Sequence, residues 1–323
     1  MPDLNMAQAI NRTLSAEMQR DESIVLLGED IGALGGLFGT TEGLLEQFGE
    51  GRVVDAPTGE GGAIGTAVGM ALYGLRPVTE MQFADFVWPG FEHIVSEMAR
   101  VRYRSGGQYS CPVVLRLPYG GGVGGGMYQS QSPEAYFCHT PGLVVAAPSD
   151  ATDAAGMLRA ALRGEDPVVF LEPKCLYQGS RVRVEDGHIV PLGKARVRRQ
   201  GTDVSVFAYG STLPVALEAA DDAAVAGIQT DVVDLRTLLP LDIGTVLSSI
   251  AKTGRAVIVA ESPTYCGYGA ELSATLSERA LLHLEAPIER VTGFDVPFPY
   301  VHEDYYLPSK RRVVAAIERV ANF

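Results

Sequence analysis

Several things are scarce in this 323-residue chain, and each scarcity excludes something. No apolar run reaches the ~18 residues that a membrane span needs, so no membrane partner is expected. The four cysteines, Cys111, Cys138, Cys175 and Cys266, lie far apart and form no CxxC. They read as free thiols in a reducing compartment, not as a disulfide frame or a zinc site. The N-terminus, MPDLNMAQAINRTLSAE, has neither a basic n-region nor an apolar h-region and is not expected to be a signal peptide. A cytoplasmic location is the expectation, or a mitochondrial matrix if a presequence has been removed. Positive charge is also short: 26 Lys and Arg face 39 Asp and Glu, a formal net charge of −13. That argues against nucleic acid, whose phosphates attract basic surfaces. It is compatible with a basic protein partner, although solubility is the simplest consequence. No P-loop pattern occurs.

What is present is an alternation. With 46% apolar and 20% charged residues the composition is that of a globular chain, long enough for two domains. Residues 5–20 form an amphipathic pattern, with Asn5 as cap, Gln8 three residues on, and Met6, Ile10, Leu14 and Met18 on one face. Short apolar runs at 24–27, 53–55, 78–81, 112–117 and 167–171 alternate with helical stretches, the mark of a parallel α/β sheet. Between two of them lies GEGGAIGTAVGMALYG (59–74), of helical length but with glycines at 61, 62, 65, 69 and 74. Each glycine costs about 1 kcal/mol in a helix relative to alanine, so their number predicts close packing against another backbone. A further helix is predicted from Pro89, burying Phe91, Ile94, Val95, Met98 and Val101. Residues 172–201, rich in proline, glycine and arginine, break the pattern. We place a first domain at 1–185, a linker at 186–201 and a second domain at 202–323. In the second domain, strands near 204–208, 231–235, 256–260 and 287–291 accompany helices near 214–226, 243–252, 269–284 and 309–321.

Gly120–Gly126 reads GGGVGGG after a strand and satisfies GxGxxG. A dinucleotide site needs a helix to open at once, so that its N–H groups meet a pyrophosphate. The next helix start is Ser132-Pro133-Glu134, several residues late, and the acidic residue expected about 20 positions on is missing from the required strand context. A closely packed or flexible loop beside a cleft is the better reading.

Several motifs point together: LLGEDIG (26–32), VVDAPTGEGGAIGTAVGMALYGLRPVTEMQFADF (53–86), YRSGG (103–107), YQSQSPEAYFCHTPGL (128–143), DPVVFLEPK (166–174), VVDLRTLLPLD (232–242) and DVPFPYVHEDYYLP (295–308). In this order the chain resembles, over essentially its full length, the E1 β subunits of 2-oxo acid dehydrogenase complexes. The resemblance implies an α/β fold of two domains with mainly parallel sheets. The first would be a thiamine-diphosphate-binding domain of the pyrimidine type, the second a transketolase C-terminal-like domain. It also implies an α2β2 heterotetramer with thiamine diphosphate at the α/β interface. Members hold Mg²⁺ and the diphosphate through a GDG motif, which this chain lacks, so the Mg²⁺ ligands would lie on the α subunit.

The family places its cofactor-activating glutamate at Glu60. The C2 proton of a thiazolium is too weakly acidic to leave unaided at neutral pH. A carboxyl group hydrogen-bonded to N1′ of the aminopyrimidine favours the tautomer whose 4′-nitrogen removes that proton. Such a group works best dry, where burial raises its pKa. Read without the flanking motif, Glu60 is equally a first-turn glutamate stabilised by a helix dipole. Thr58 and Gln82 match family positions near the pyrimidine ring, and Phe86 matches an aromatic that packs on it. Some members bind potassium through backbone carbonyls and a side chain, which maps to Val113, Ala161, Leu162 and Asp166. Gly164 stands where those members offer a carboxylate.

One departure concerns catalysis. The family has a histidine where this chain has Gln129, a position associated with substrate or with the lipoyl group during acyl transfer. Glutamine hydrogen-bonds but does not titrate near pH 7. A different acyl-transfer step, an introduced substitution, or compensation by a neighbour such as His139 would each account for it. His139 ends the helix opening at Ser132 and reads equally as a helix-end histidine bonding backbone carbonyls. The activity implied is decarboxylation of a 2-oxo acid and transfer of the acyl group to the lipoyl arm of an E2 acyltransferase. QFADF, QSPEAYF and FLEPK lean towards a branched-chain substrate. A pyruvate or acetoin dehydrogenase subunit, and a non-catalytic scaffold of the same fold, are the alternatives. In the family the E2 binding domain is often basic and docks on the β subunit's C-terminal domain. The acidic charge and the carboxylate of Phe323 suit that contact.

Overall fold

Asn5 caps the first helix as the sequence predicts: its side chain accepts the Gln8 N–H while Gln8 returns a bond to the Asn5 N–H. The computed structural model describes residues 3–57 and 59–323. The chain folds as two units. The first comprises the residues up to Tyr119 together with Tyr136–Leu192; the second comprises Gly120–Ala135 together with Gly193–Phe323.

The elements run β1 (Asp3–Leu4), α1 (Met6–Arg20), β2 (Ile24–Gly28), α2 (Leu44–Phe48), β3 (Val53–Asp55), α3 (Glu60–Leu72), β4 (Arg76–Glu80), α4 (Val101–Arg104), β5 (Val114–Tyr119), α5 (Glu134–Cys138), β6 (Val144–Ala146), α6 (Ala151–Arg163), β7 (Val168–Pro173) and β8 (Val182–Arg183). They continue with β9 (Arg196–Arg199), β10 (Val204–Ala208), α7 (Thr212–Val225), β11 (Thr230–Asp234), β12 (Thr237–Leu239), α8 (Ile243–Thr253), β13 (Ala256–Val259), α9 (Tyr268–Arg279), β14 (Glu289–Val291), α10 (Glu303–Tyr306) and α11 (Lys310–Ala321).

In the first unit, strands β6-β7-β5-β4-β2-β3 lie side by side in that order, all parallel. Strands β2, β5 and β7 are buried at every residue, as a sheet covered on both faces requires. Helix α1 lays Met6, Ile10, Leu14 and Met18 into this core and packs on α6. The two helices also share a buried ion cluster, in which Glu17 accepts from Arg159 and Arg163. The second unit has its own core around the order β14-β13-β10-β11-β9, parallel except for β9. Both sheets therefore match the mainly parallel α/β expectation.

Three sequence expectations change. The helix predicted from Pro89 is a 3₁₀ turn at Trp88–Gly90, a π-helical turn at His93–Met98 and then α4, although Ile94, Met98 and Val101 are buried as expected. The stretch placed as a linker at 186–201 is partly structured: Gly193 onward belongs to the second unit, and Arg196–Arg199 is its antiparallel edge strand. The first domain, placed at 1–185, gives up residues 120–135, which pack with the second unit. No disulfide joins the four cysteines, and burial pushes the Cys111 thiol up to about 11. Among the described residues no helix is long and apolar enough to cross a membrane.

Candidate active site

Open parallel sheets bind ligands beyond the carboxyl ends of their strands. Strand β3 ends at Asp55 and leads into α3, whose first residue is Glu60; β4 ends at Glu80 and leads to Gln82. Strand β2 runs between them. The sequence-predicted residues thus gather on one edge. Glu60 is half-buried, and no hydrogen bond from another described residue reaches its carboxylate. The dry surroundings expected for it are not supplied by this chain's described residues. Thr58 lies outside the described residues.

The start of α3 meets the turn that follows Phe86. A Cβ on Gly61 would stand 2.9 Å from the Pro89 carbonyl oxygen, and one on Gly90 would stand 3.0 Å from the Glu60 carbonyl oxygen. Glycine at 61 is therefore needed for a backbone-on-backbone contact, as expected. A Cβ on Gly65 would make an ordinary contact with His93, whereas one on Gly62, Gly69 or Gly74 would meet nothing within 4 Å in this chain. Phe86 ends a short turn, Ala84–Phe86, with its ring 36% exposed beside the same segment.

Gln82 is oriented from below. Its Nε2 donates to the Glu29 carbonyl at 3.1 Å and to Glu80 Oε1 at 3.0 Å, which leaves the amide oxygen as the end pointing elsewhere. Glu80 is itself held: Arg116 Nη1 donates to it at 2.6 Å, Thr40 Oγ1 at 3.1 Å and the Leu37 N–H at 3.1 Å. Arg116, on the central strand β5, also donates to both oxygens of Glu172 on β7, at 2.7 and 2.8 Å. Burial alone would lower the Arg116 pKa, but Glu172 and Glu80 outweigh it and the guanidinium stays charged. An ion triad removed from water in this way gives limited net stability and breaks expensively if one partner is lost. Its visible effect is to fix Gln82 at the sheet edge. A half-buried carboxyl, an oriented amide and a part-exposed ring fit the aminopyrimidine half of a thiamine diphosphate site.

Gln129 lies in the second unit, exposed near the end of the glycine loop, and the Gln129 N–H reaches the Gly126 carbonyl at 3.5 Å. The loop's N–H groups are not open to a phosphate. Gly121 donates to Glu261, Gly122 to Glu303, and Gly124 to Glu303 at 3.0 Å. The dinucleotide reading is excluded on this ground. Beneath the loop Glu134 is completely buried and accepts from Tyr209 Oη at 2.6 Å. Burial pushes its pKa up to about 7, against partial relief from Tyr209, and the Glu261 carboxylate adds to the rise. Sequence reasoning assigned no role to Glu134, Glu261 or Glu303. Two of them sit inside quoted motifs, Glu134 in SPEA and Glu303 in HEDYYLP. His139 is exposed, just past the end of α5.

The residues mapped to a potassium ion are otherwise engaged. Leu162 and Gly164 turn their carbonyls to Arg76, at 3.1 and 2.6 Å. The Val113 carbonyl accepts from Val168 at 2.9 Å, the Ala161 carbonyl from Gly164 at 3.1 Å, and Asp166 pairs with Arg102 at 3.1 Å. A cation on the Leu162 oxygen would stand beside a guanidinium, a like-charge contact. These residues as arranged do not fit the ion.

Residues 3–180 match the family described as transketolase, pyrimidine binding domain, and residues 193–313 match transketolase, C-terminal domain. The 2-oxoisovalerate dehydrogenase subunit beta of Pseudomonas aeruginosa is 46% identical, over 98% of this chain and 95% of its own length. The protein of the same name from Bacillus subtilis is 45% identical over the whole of both chains. The pyruvate dehydrogenase E1 component subunit beta of Bacillus subtilis is 44% identical over the whole of both. A solved split-gene transketolase, an inactive beta4 tetramer, superposes with a TM-score of 0.82 over 99% of each chain at 24% identity, a likeness of fold.

Proposed function

The chain belongs to the thiamine-diphosphate-dependent E1 β-subunit family of 2-oxo acid dehydrogenases, and on that premise we propose that Glu60 is its cofactor-activating carboxyl group. It is a component of a 2-oxo acid dehydrogenase that works with an α partner, and the branched-chain reading is favoured over pyruvate. The observation that carries the proposal is the place of Glu60, on the first turn of α3 at the carboxyl edge of the sheet, with its backbone against Gly90 in the turn that follows Phe86.

Thiamine diphosphate, when bound, supplies a nucleophilic carbon that adds to the 2-oxo group and takes up the electrons released with CO₂. The work left to this chain is local. Glu60 holds and returns a proton at N1′, Gln82 presents its oriented amide to the ring's polar edge, and Phe86 covers a ring face. The family resemblance adds Thr58 to this set. The α subunit contributes the Mg²⁺ ligands and closes water out from Glu60 in an α2β2 assembly. Gln129, with His139 as the nearest histidine in sequence, serves the transfer of the acyl group to a lipoyl arm. A basic E2 domain docks on the second unit, where a groove of about 460 Å³ is lined by Leu281, Leu284, Ala286 and Phe323 beside Glu285. The complex works in the cytoplasm or an organelle matrix.

Co-expression with an α subunit carrying the GDG motif tests this. Decarboxylation read with an artificial electron acceptor should favour 3-methyl-2-oxobutanoate over pyruvate by about tenfold or more in kcat/KM. The reverse preference would establish the pyruvate reading. Glu60→Gln should lower kcat by roughly 10²- to 10⁴-fold; a wild-type rate in that variant would sink the assignment.

A further inference from the structure

The glycine run is built to be held by two acids. We propose that Glu261 and Glu303 are positioning residues for acyl transfer, fixing the loop 120–131 and through it Gln129. The inference rests on the reading of Gln129 as an acyl-transfer residue.

The loop is a closed excursion. Its entry and exit are joined by the Gly120 N–H, which donates to the Gln131 carbonyl at 3.0 Å. Gln131 Nε2 then crosses inside to the Met127 carbonyl at 2.9 Å. Three donors on the entry side, the N–H groups of Gly121, Gly122 and Gly124, are taken by carboxylates from elsewhere in the second unit. Glu261 follows β13 and is 4% exposed; it accepts from Gly121, and Ser211 Oγ occupies its other oxygen at 2.5 Å. Glu303 opens α10 and spans the Gly122 and Gly124 N–H groups with its two oxygens. Successive N–H groups converging on one point make an anion cradle. Here the anion is part of the protein.

Side-chain volume is excluded from the loop for the same purpose. A Cβ on Gly120 would stand 2.9 Å from Glu261 Oε1, one on Gly121 2.5 Å from Phe298 Cζ, and one on Gly126 2.7 Å from Tyr300 Cδ2. Gly120, Gly122, Gly124 and Gly126 also have φ between +62° and +86°, where a side chain is strained. The base of the loop is therefore pressed onto Glu261, Phe298, Tyr300 and Glu303. Its far side shows the opposite character: Met127 is 43% and Tyr128 70% exposed, and Gln129 is exposed beside them. A clamped base with a projecting tip presents the tip's side chains in one geometry. Neutral peptide groups in a surface loop can be satisfied by water, whereas Glu261, 4% exposed, is a carboxylate withdrawn from water at a cost, and Glu303 is half-buried. Two acids spent on four residues of backbone make sense where the loop's position matters.

The test uses the assembled α/β enzyme with Glu303→Gln, which keeps one acceptor and loses the charge, and Glu303→Ala, which loses both acceptors. Amide hydrogen exchange at 121–124 should quicken by about tenfold in the alanine variant and less in the glutamine variant. Acyl transfer to a lipoylated E2 domain should fall about tenfold in kcat/KM, following the same order. Decarboxylation with the artificial acceptor should fall less than about twofold. Equal loss in both assays, or faster exchange with acyl transfer unchanged, would overturn the proposal. So would exchange that does not change, since the acids would then not hold the loop. A wild-type enzyme that cannot acylate the E2 domain would refute the acyl-transfer reading itself, while the exchange result would still report on the clamp.

Discussion

At the residue scale, Glu134 carries a consequence for stability that Glu60 does not. Its pKa is held at about 7, mainly by burial, against 4.5 for an ordinary glutamate. The folded chain therefore keeps a proton that the unfolded chain releases above pH 4.5. The stabilisation from that proton is complete below about pH 4.5 and is lost progressively as the pH rises to about 7. At about 1.4 kcal/mol per pH unit of separation, the loss amounts to about 3 kcal/mol as an upper bound, because Tyr209, Ser262, Glu261 and Tyr306 respond to the same charge. Glu134→Gln removes the titration and keeps an acceptor for Tyr209. Denaturant unfolding of the two proteins should give similar stabilities near pH 5 and a variant ahead by a few kcal/mol at pH 8. A difference between them that is flat across this range would mean that Glu134 is charged in the folded protein throughout.

At the element scale, α3 separates two kinds of glycine that look identical in the sequence. Gly61→Ala pushes a methyl group onto the Pro89 carbonyl, which the helix start cannot avoid without moving Glu60. It should cost about 1–3 kcal/mol in stability. Gly62→Ala meets nothing within 4 Å in this chain and should stabilise the isolated protein by about 1 kcal/mol through helix propensity. Thermal melts of the two variants without the α subunit check both signs. Periodicity made the helix itself legible, along with the capped α1 and the buried strands, because burial on one face or two leaves a direct trace in the order of residues. The winding of 88–104 as 3₁₀, π and α turns left no such trace, since Ile94, Met98 and Val101 satisfy a regular helix equally well. The site divides in the same manner. Glu60, Gln82 and Phe86 are assigned through motif resemblance, and parallel strand order brings Glu60 and Gln82 to one edge. Glu80, Glu261 and Glu303 act through partners 36 to 181 residues away in the chain, a distance that no local pattern reports.

At the scale of the whole molecule, the second unit is not a contiguous stretch of chain. It includes Gly120–Ala135, a segment that follows β5 and ends within the first turn of α5. A fragment beginning at Gly193 would retain the five-stranded sheet and its apolar core, yet it would lack the groups that answer several buried polar atoms. Tyr209 would lose Glu134 and Glu261 would lose the Gly121 N–H, both buried bonds, and the half-buried Glu303 would lose two more glycine N–H groups. Withdrawing one partner from a buried hydrogen bond costs about 1–3 kcal/mol, more for charged groups. The fragment 193–323 should therefore fold but melt well below the same unit in the full chain. A synthetic peptide of residues 120–135, added in excess, should raise its melting temperature in a concentration-dependent manner, since a ligand of the folded state alone stabilises by mass action. Peptide in which Gly121 is replaced by Ala should do so poorly, because its methyl group would meet the Phe298 ring and Glu303. A fragment indifferent to the peptide would mean that the segment is merely carried by the second unit. In that case the two acids would owe their positions to the remainder of the unit, and the clamp on the loop would run in one direction only.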